Sequence, residues 1–234
     1  MNKLSFSPTT HIFLWDLHDV ILEKSLWSWF MICMRFKNKK EIVRKLDKKI
    51  IKILCTFLLE RLRLTKKQLV SEELIKAALQ ANNHALVELT IQACSSYAPI
   101  KKTVAIMHEL SQLGYEHHLG SNIGKTIFDD CADKFSSIFS MFKDATIPFE
   151  STKTGLIIKK PNPEFFYTHI KKHNLNSHQI IFIDDKLANV QAAQSVGMHG
   201  IHFKNPLQLA EELIKLGILS EIYDKEFLDK MRQK

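Results

Sequence analysis

The sequence contains few of the features that interrupt regular structure or cross-link a chain. Seven glycines and six prolines in 234 residues leave little room for flexible low-complexity linkers, and no fixed-period repeat is present. The four cysteines form no CxxC pair and no cysteine–histidine zinc spacing. We therefore expect reduced thiols rather than a disulfide framework.

Long apolar runs are also missing. The longest, residues 26–34, is too short to cross a bilayer, and basic residues follow it directly. The N-terminus lacks the basic-then-apolar order of a signal peptide. We therefore expect a cytoplasmic protein without a transmembrane segment, while export by a non-classical route stays open.

Positive charge is abundant but unevenly distributed. The net charge is +8, yet residues 24–76 contain 15 Lys or Arg against 5 Asp or Glu. This asymmetry indicates two structural units, one of them basic. The simpler interpretation is a solvated helical face. The alternative is contact with acidic surfaces: attraction of a phosphate-bearing substrate, a nucleic acid or an anionic membrane. A nucleic-acid partner is not expected, because no recognised binding motif accompanies the charge.

Short apolar stretches alternate with helical patterns in most of the chain. This alternation predicts an α/β fold with a parallel sheet. The predicted strands are residues 11–16, 115–119, 180–183 and 200–203. After the second of these strands, the pattern predicts one helix over residues 128–142.

The segment after the first predicted strand does not follow this alternation. Its apolar residues recur at spacings of three and four, as in amphipathic helices. We therefore predict an all-helical insertion after the first strand. The resulting organisation is a core of residues 1–23 and 96–219, an insertion of residues 24–95, and a C-terminal tail of residues 220–234.

Polar residues end three of the predicted strands. Asp16 ends the first, Ser121 follows the second, and Asp184 and Asp185 end the third. In open parallel sheets, ligands bind beyond the carboxyl ends of the strands. We therefore expect an acid, a hydroxyl and two further acids to meet at one edge of the sheet.

Four segments around these residues resemble the motifs of a known superfamily. WDLHDVIL, LGSN, KKPNPEFF and FIDDKLANVQAAQSVGMHGIHF occur in that order. They are similar in order and spacing to the haloacid dehalogenase (HAD) superfamily, subfamily I with a helical C1 cap. The last segment most resembles the branch that includes the N-terminal phosphatase domain of soluble epoxide hydrolase. The resemblance implies a Rossmann-like sheet and a helical cap that covers the site and selects the substrate.

The resemblance also implies a role for individual residues. Asp16 takes the position of the nucleophile that attacks phosphorus and forms an aspartyl-phosphate, which splits a difficult hydrolysis into two transfers. Ser121 and the backbone N–H of Asn122 would hold the phosphoryl oxygens. Lys160 matches the lysine that neutralises nucleophile and phosphate, and Lys159, one position earlier, is the alternative.

A divalent cation is implied as well. Asp16, Asp184 and Asp185 would repel one another without a cation, and Mg²⁺ prefers oxygen ligands completed by phosphate. By resemblance, the ligands are Asp16, the backbone carbonyl of His18 and Asp185, with Asp184 second or acting through water. Asn189 would help to orient this shell.

The first motif departs from the family pattern. Family phosphatases have Asp-x-Asp-Gly, whereas residues 16–19 read Asp-Leu-His-Asp. The second Asp of the pattern normally protonates the leaving alcohol and later activates water. Three hypotheses stay open: His18 serves as acid and base, since imidazole suits proton transfer at neutral pH; Asp19 does so; or hydrolysis is lost, leaving a phosphate- or metal-binding regulatory protein.

The expected function is a Mg²⁺-dependent phosphomonoester hydrolase. An aromatic and methionine stripe after the first motif suits a helix core; if part of it faces the site, it favours an apolar or aromatic leaving group. The stripe comprises Trp27, Trp29, Phe30, Met31, Met34 and Phe36. Candidate substrates are therefore an aromatic phosphomonoester such as phosphotyrosine, in a phosphoprotein or free, and a small phosphorylated metabolite.

Two pairs of histidines lie on or near predicted strands. His117 and His118 precede the second motif, and His199 and His202 lie near the last strand. We expect all four side chains to pack in the core rather than bind a metal.

Overall fold

The structure is a computed structural model in which most of the chain is described. The described residues are 6–25, 32, 34–61, 70–94 and 96–219. The predicted tail, residues 220–234, and four members of the aromatic stripe, Trp27, Trp29, Phe30 and Met31, lie outside these ranges. Among the described helices, none has the length and apolar character needed to cross a membrane.

Strands occur where the apolar stretches predicted them, and at further positions. They are β1 Ile12–Trp15, β2 Leu22–Lys24, β3 Tyr97–Pro99, β4 Glu116–Gly120, β5 Phe142–Thr146, β6 Phe149–Glu150, β7 Ile157–Ile158, β8 Ile180–Asp184 and β9 His199–His202. Strand β5 begins at Phe142, the last residue of the helix predicted over residues 128–142. The structure replaces that helix with two shorter ones separated by Phe135.

Helices occupy most of the remaining described chain. They are α1 Lys39–Arg44, α2 Lys48–Arg61, α3 Val70–Gln80, α4 His84–Cys94, α5 Lys101–Gln112, α6 Lys125–Lys134, α7 Ser136–Phe139, α8 Pro163–His173, α9 Leu187–Ser195 and α10 Pro206–Lys215. Asn162 caps α8 by accepting from the backbone N–H of Glu164, and Pro163 occupies the first helical position.

Five strands form one parallel sheet in the order β5-β4-β1-β8-β9. The central strands are apolar on both faces: all four residues of β1 and all five of β8 are buried. Such continuous apolar runs are typical of parallel strands covered on both sides. The predicted α/β class with a parallel sheet is therefore confirmed.

The chain divides into two units. The first comprises residues 1–23, 99–122 and 137–234 and contains the five-stranded sheet. The second comprises residues 24–98 and 123–136. It extends beyond the predicted insertion because α6, at residues 125–134, packs against α4.

One face of the sheet packs against α8 and α9 through a large apolar cluster. Aromatic rings dominate it, with Phe166 contacting Phe165 and Phe182 edge to face at 5.6 and 5.1 Å between centroids. The buried members are Ile12, Leu14, Ile158, Phe165, Phe166, Ile180, Phe182, Ala193, Val196 and Met198. This cluster fixes α8 and α9 against the strands that carry the acidic residues.

On the other face, a buried hydrogen-bond chain runs from β1 to α5. The Trp15 indole N–H donates to Nδ1 of His117 at 2.9 Å, and Nε2 of His117 lies 3.0 Å from the Ser111 hydroxyl. Burial lowers the pKa of His117 to about 4, so the ring is neutral at pH 7. Since Nδ1 accepts from Trp15, the proton sits on Nε2 and is donated to Ser111. His117 therefore packs with a defined tautomer.

The hydrogen bond between Trp15 and His117 gives a test of the packing on this face of the sheet. We expect Trp15→Phe to lower the free energy of unfolding by about 1–3 kcal/mol, because it leaves the buried His117 Nδ1 without its donor. In a double-mutant cycle with His117→Leu, the coupling measured by urea denaturation should be roughly 0.5–3 kcal/mol. Tyr115→Phe replaces Trp15→Phe in the control cycle with His117→Leu, because within the described residues the Tyr115 hydroxyl makes one long contact, 3.4 Å to the Phe6 carbonyl. Coupling indistinguishable from zero would contradict the hydrogen bond.

Candidate active site

Strand register brings the acidic residues of two motifs side by side. Trp15 of β1 pairs with Leu119 of β4 on one side and Ile183 of β8 on the other. The next residues are Asp16, Gly120 and Asp184, which therefore lie at the same level of the sheet edge. The backbone N–H of Asp16 donates to the Ile183 carbonyl at 2.8 Å, which holds Asp16 in the ladder.

Lys160 is buried among these strand ends. Its Nζ lies 2.8 Å from Asp16 Oδ1 and 2.6 Å from Asp184 Oδ2, and it also donates to the Gly120 carbonyl. The residue is only 1% exposed. Of the two candidate lysines, Lys160 is thus the one paired with Asp16, while Lys159 is half-buried in the preceding position.

The single positive charge of Lys160 cannot neutralise the two carboxylates, Asp16 and Asp184, that it contacts. Burial alone lowers the pKa of Lys160, but the Asp16 and Asp184 carboxylates outweigh it, so the pKa is raised. Burial and the charge of Asp16 in turn raise the pKa of Asp184 in spite of Lys160. Lys160 therefore stays charged, and the repulsion between the carboxylates appears as the raised pKa of Asp184.

Asn122 fastens the Lys160 backbone to the end of β4. Its Nδ2 donates to the Lys160 carbonyl at 2.8 Å, and its Oδ1 accepts from the Lys160 N–H at 2.8 Å. The sequence suggested only a backbone role for Asn122. Its side chain instead makes a two-point link between the second and third motifs.

Asp184 has both carboxylate oxygens engaged by fixed donors. Asn189 Nδ2 lies 2.9 Å from each oxygen, and the Lys186 N–H donates to Oδ1 at 2.8 Å. With Lys160 on Oδ2, Asp184 is held in one orientation. Asn189 thus lies at the acidic edge and contacts Asp184.

Asp185 has a different environment. Burial first, and then the charges of Asp16, Asp184 and Asp19, raise its pKa to about 7 in spite of the opposing charge of Lys186. Its Oδ1 is buried and has no hydrogen-bond partner among the described residues. Asp185 Oδ1 is therefore available as a ligand atom in a region of negative electrostatic potential.

These residues fit a hard divalent cation. Asp16, Asp184 and Asp185 each offer an oxygen, and these atoms lie within 4.8 Å of one another. Crowded carboxylates and a buried oxygen without a partner suit Mg²⁺, which prefers oxygen ligands. The Ser121 hydroxyl, 0% exposed and also without a partner among the described residues, suits a phosphoryl oxygen.

The residues that depart from the family pattern form a tight turn directly after Asp16. The Asp19 N–H donates to the Leu22 carbonyl at 2.8 Å, and the Leu22 N–H donates to Leu17 at 2.9 Å. Asp19 has φ 60°, the left-handed conformation that favours glycine. An aspartate therefore occupies a backbone conformation that favours glycine, the residue of the family pattern at this position.

Comparison with known families decides the assignment. The model of haloacid dehalogenase-like hydrolases matches residues 11–197, which include β1, β4, Lys160 and the Asp184–Asp185 pair. The chain belongs to this family. The resemblance inferred from the four motifs is therefore confirmed at the level of the HAD superfamily.

Two curated relatives are phosphate-ester hydrolases by name. The sesquiterpene phosphatase AstK of Aspergillus oryzae is 30% identical over 131 residues, covering 53% of this chain and 61% of that protein. A chloroplast flavin mononucleotide hydrolase of Arabidopsis thaliana is 40% identical over 60 residues, covering 26% and 24%. The chain thus spans less than two thirds of the length of both relatives.

Solved structures agree with the family fold. A HAD family enzyme of Bacteroides thetaiotaomicron superposes with a TM-score of 0.55 at 16% identity, over 86% of this chain and 95% of that one. A HAD-like hydrolase of Porphyromonas gingivalis gives 0.53 at 18% identity, over 88% and 98%. At these identities the likeness establishes the fold alone.

The positive φ of Asp19 gives a second test. We expect the free energy of unfolding of Asp19→Gly, measured by urea denaturation, to exceed that of Asp19→Ala by about 1 kcal/mol. The reason is that only glycine adopts the left-handed conformation without strain. At Asp133, exposed on α6, the same pair should rank in the opposite order, because alanine favours a helix. Equal stability of the two Asp19 variants would show that this conformation imposes no strain.

Proposed function

We propose that this chain is a Mg²⁺-dependent phosphomonoester hydrolase that works through an aspartyl-phosphate on Asp16. The observation that carries the proposal is the buried Lys160 ammonium held between Asp16 and Asp184, beside a buried Ser121 hydroxyl without a partner among the described residues. Both curated relatives are named for the hydrolysis of phosphate esters, which supports this chemistry.

The proposed cation ligands are Asp16, Asp185 and the backbone carbonyl of His18. Asp184, whose oxygens already accept from Asn189, Lys186 and Lys160, orients the acidic edge or contributes through water. When bound, Mg²⁺ would supply positive charge to the phosphoryl oxygens and to the acids. The Bacteroides HAD enzyme was crystallised with magnesium and inorganic phosphate, which supports the choice of ion.

In the first transfer, a carboxylate oxygen of Asp16 attacks phosphorus and the bond to the ester oxygen breaks. The leaving oxygen takes a proton from a neighbouring acid. In the second transfer, water attacks the phosphorus of phospho-Asp16, its proton passes to the same group, and Asp16 is regenerated with release of phosphate. Lys160, Ser121 and the Asn122 backbone N–H would hold the phosphoryl oxygens throughout.

His18 is the proposed acid and base. It lies two residues after Asp16, at the position where the family pattern has its second aspartate. Asp19 is the competing group, and its charge acts on Asp185 at the acidic edge. The backbone of Asp19 has the left-handed conformation.

The proposed substrate is a small phosphomonoester with an apolar or aromatic body. The relatives' names support this class, since a sesquiterpene and a flavin both carry a large carbon skeleton. Of the predicted aromatic stripe, the described Phe36 is buried, whereas Met34 is 59% exposed. A phosphotyrosine-like substrate belongs to the same chemical class and stays within the proposal.

The nucleophile is tested with Asp16→Asn. We expect the variant to lose Mg²⁺-dependent hydrolysis of p-nitrophenyl phosphate and to form no acid-stable, hydroxylamine-sensitive phosphoenzyme with a labelled phosphomonoester. Asp133→Asn, an exposed carboxylate on α6, is the matched control and should retain full activity. Full activity of Asp16→Asn would refute the mechanism. Phosphate binding without turnover in wild type, across flavin mononucleotide, an isoprenoid monophosphate and a phosphotyrosine peptide, would favour the regulatory alternative.

The lysine is tested by comparing two neighbours. We expect Lys160→Ala to abolish activity and to lower the free energy of unfolding by about 3–5 kcal/mol, because two buried carboxylates lose their partner. Lys159→Ala should leave both nearly unchanged. Urea denaturation and kcat/KM measure the two effects. Similar behaviour of the two variants would argue against the role given to Lys160.

The acid is tested through the leaving group. We expect His18→Ala to lower kcat/KM for an alkyl phosphate by about 10²–10⁴-fold. The loss should be much smaller for p-nitrophenyl phosphate, because nitrophenolate leaves without a proton. His18→Asp should retain or exceed the wild-type rate, since it restores the family carboxylate. The same leaving-group dependence in Asp19→Asn, and none in His18→Ala, would move the role to Asp19.

A further inference from the structure

Three histidines meet between the sheet and α8, in a cluster that the proposed hydrolysis does not use. His118 lies on β4, and His169 and His173 lie on α8. Each offers a ring nitrogen, and these three atoms lie within 4.8 Å of one another. His118 and His169 are 0% exposed, and the His173 side chain is 17% exposed.

The positions on α8 explain how two of the rings converge. Residues four apart on a helix lie on one face, so His169 and His173 face the same neighbour. The ring centroids of His118 are 5.0 Å from His169 and 4.4 Å from His173, and those of His169 and His173 are 4.7 Å apart. Burying three imidazoles in mutual contact costs more desolvation free energy than filling the same space with apolar side chains.

The outward nitrogens of the two buried rings have fixed partners. His118 Nε2 lies 2.6 Å from Glu116 Oε1, and His169 Nδ1 lies 2.9 Å from the Thr146 hydroxyl. The inward nitrogens, His118 Nδ1 and His169 Nε2, are 3.1 Å apart. Metal-binding histidines typically donate their second ring N–H to a carboxylate or another oxygen, and this arrangement provides both.

A carboxylate lies beside the three imidazoles, next to His173. Asp144 of β5 places its Oδ2 2.7 Å from His173 Nε2. The exposed Lys172 ammonium lies 2.5 Å from the same oxygen and would have to swing into solvent to give it up. Three imidazole nitrogens and one carboxylate oxygen are a donor set that Zn²⁺ accepts in tetrahedral geometry.

We propose that this cluster is a transition-metal site, with Zn²⁺ held by His118 Nδ1, His169 Nε2 and His173 Nε2, and with Asp144 Oδ2 turning inward from its place beside His173 as the fourth ligand. Glu116 must accept the His118 Nε2 proton, which leaves Nδ1 as a lone-pair donor. His169 can then carry its proton on Nδ1, donated to Thr146, and present Nε2 to the metal. The site is independent of the proposed hydrolysis.

The location indicates a stabilising role for the metal. Thr146 also connects to the candidate active site, because its carbonyl accepts from the Ser121 N–H at 3.0 Å. Helix α8 begins three residues after Lys160. A metal that joins β4, β5 and α8 would therefore fix the segments that carry Ser121 and Lys160, without touching the reacting groups.

The test is a metal titration of the whole chain after treatment with a chelator. Mg²⁺ is kept at saturating concentration, so that the acidic edge of the sheet does not take up the added ion. We expect one equivalent of Zn²⁺ to bind by calorimetry and to raise the melting temperature. Co²⁺ should give the intense visible absorption of a tetrahedral site. Absence of Zn²⁺ binding by calorimetry and of the Co²⁺ absorption in wild type would overturn the proposal.

Variants assign the signals to the cluster. His173→Ala, at the partly exposed ring, should weaken Zn²⁺ binding by about 100-fold or more, since loss of a ligand exceeds the roughly 10–100-fold of an outer partner. Asp144→Asn should also weaken it and change the Co²⁺ spectrum, and Glu116→Gln should weaken it by roughly 10–100-fold. The exposed His178→Ala is the control.

The variants also separate loss of metal binding from loss of folding. His173→Ala should keep the metal-free melting temperature within a few degrees of wild type, and Asp144→Asn repeats the test with an almost isosteric side chain. Zn²⁺ affinity unchanged in both variants would place the bound ion elsewhere and overturn the assignment.

Discussion

The candidate site depends on a surplus of negative charge that one buried lysine cannot neutralise. Lys160 pairs with Asp16 and Asp184, and Asp185 adds a third carboxylate close by. Burying an ion costs several kcal/mol even after relaxation, so such a group persists only where fixed partners hold it. Burial first, and then this surplus, raise the pKa of Asp185 to about 7, and the surplus makes the edge attractive to a cation.

The partners that hold this charge come from ordinary features of a parallel sheet. The register of β1 with β4 and β8 places Asp16, Gly120 and Asp184 level without any special loop. Asn122 and Asn189 then fix Lys160 and Asp184 through neutral amides, which add no further charge. The electrostatic arrangement is thus set by backbone pairing before any ligand is considered.

The parts of the fold predicted from the sequence are those encoded by apolar patterning. Strands β1 and β8 are buried and apolar up to the acids at their ends, Asp16 and Asp184. Strand β4 is buried from His117 onward although its sequence, EHHLG, is largely polar, and Ser121 follows it. Strand β5, Phe142–Thr146, was missed because an edge strand pairs through its backbone, and only Thr146 in it is buried.

Other features were invisible because they depend on tertiary geometry. The side-chain link from Asn122 to Lys160 joins residues 38 positions apart, and no local pattern announces it. The left-handed turn at Asp19 is the exception, because the glycine of the family pattern at this position could have predicted it. His118 was expected to pack, and the contact with His169 appears only once α8 lies against β4.

Strand β4 serves both faces of the sheet, which limits how its sequence can change. His117 faces Trp15, and its neighbour His118 faces α8, so the two identical side chains have unrelated tasks. A Cβ at Gly120 would lie 3.1 Å from Leu14 Cδ1, and Ser121 follows at once. Deleting one residue here would exchange the two faces. Adding or removing a single residue in the segment EHHLGS would therefore break contacts on both faces of the sheet at once.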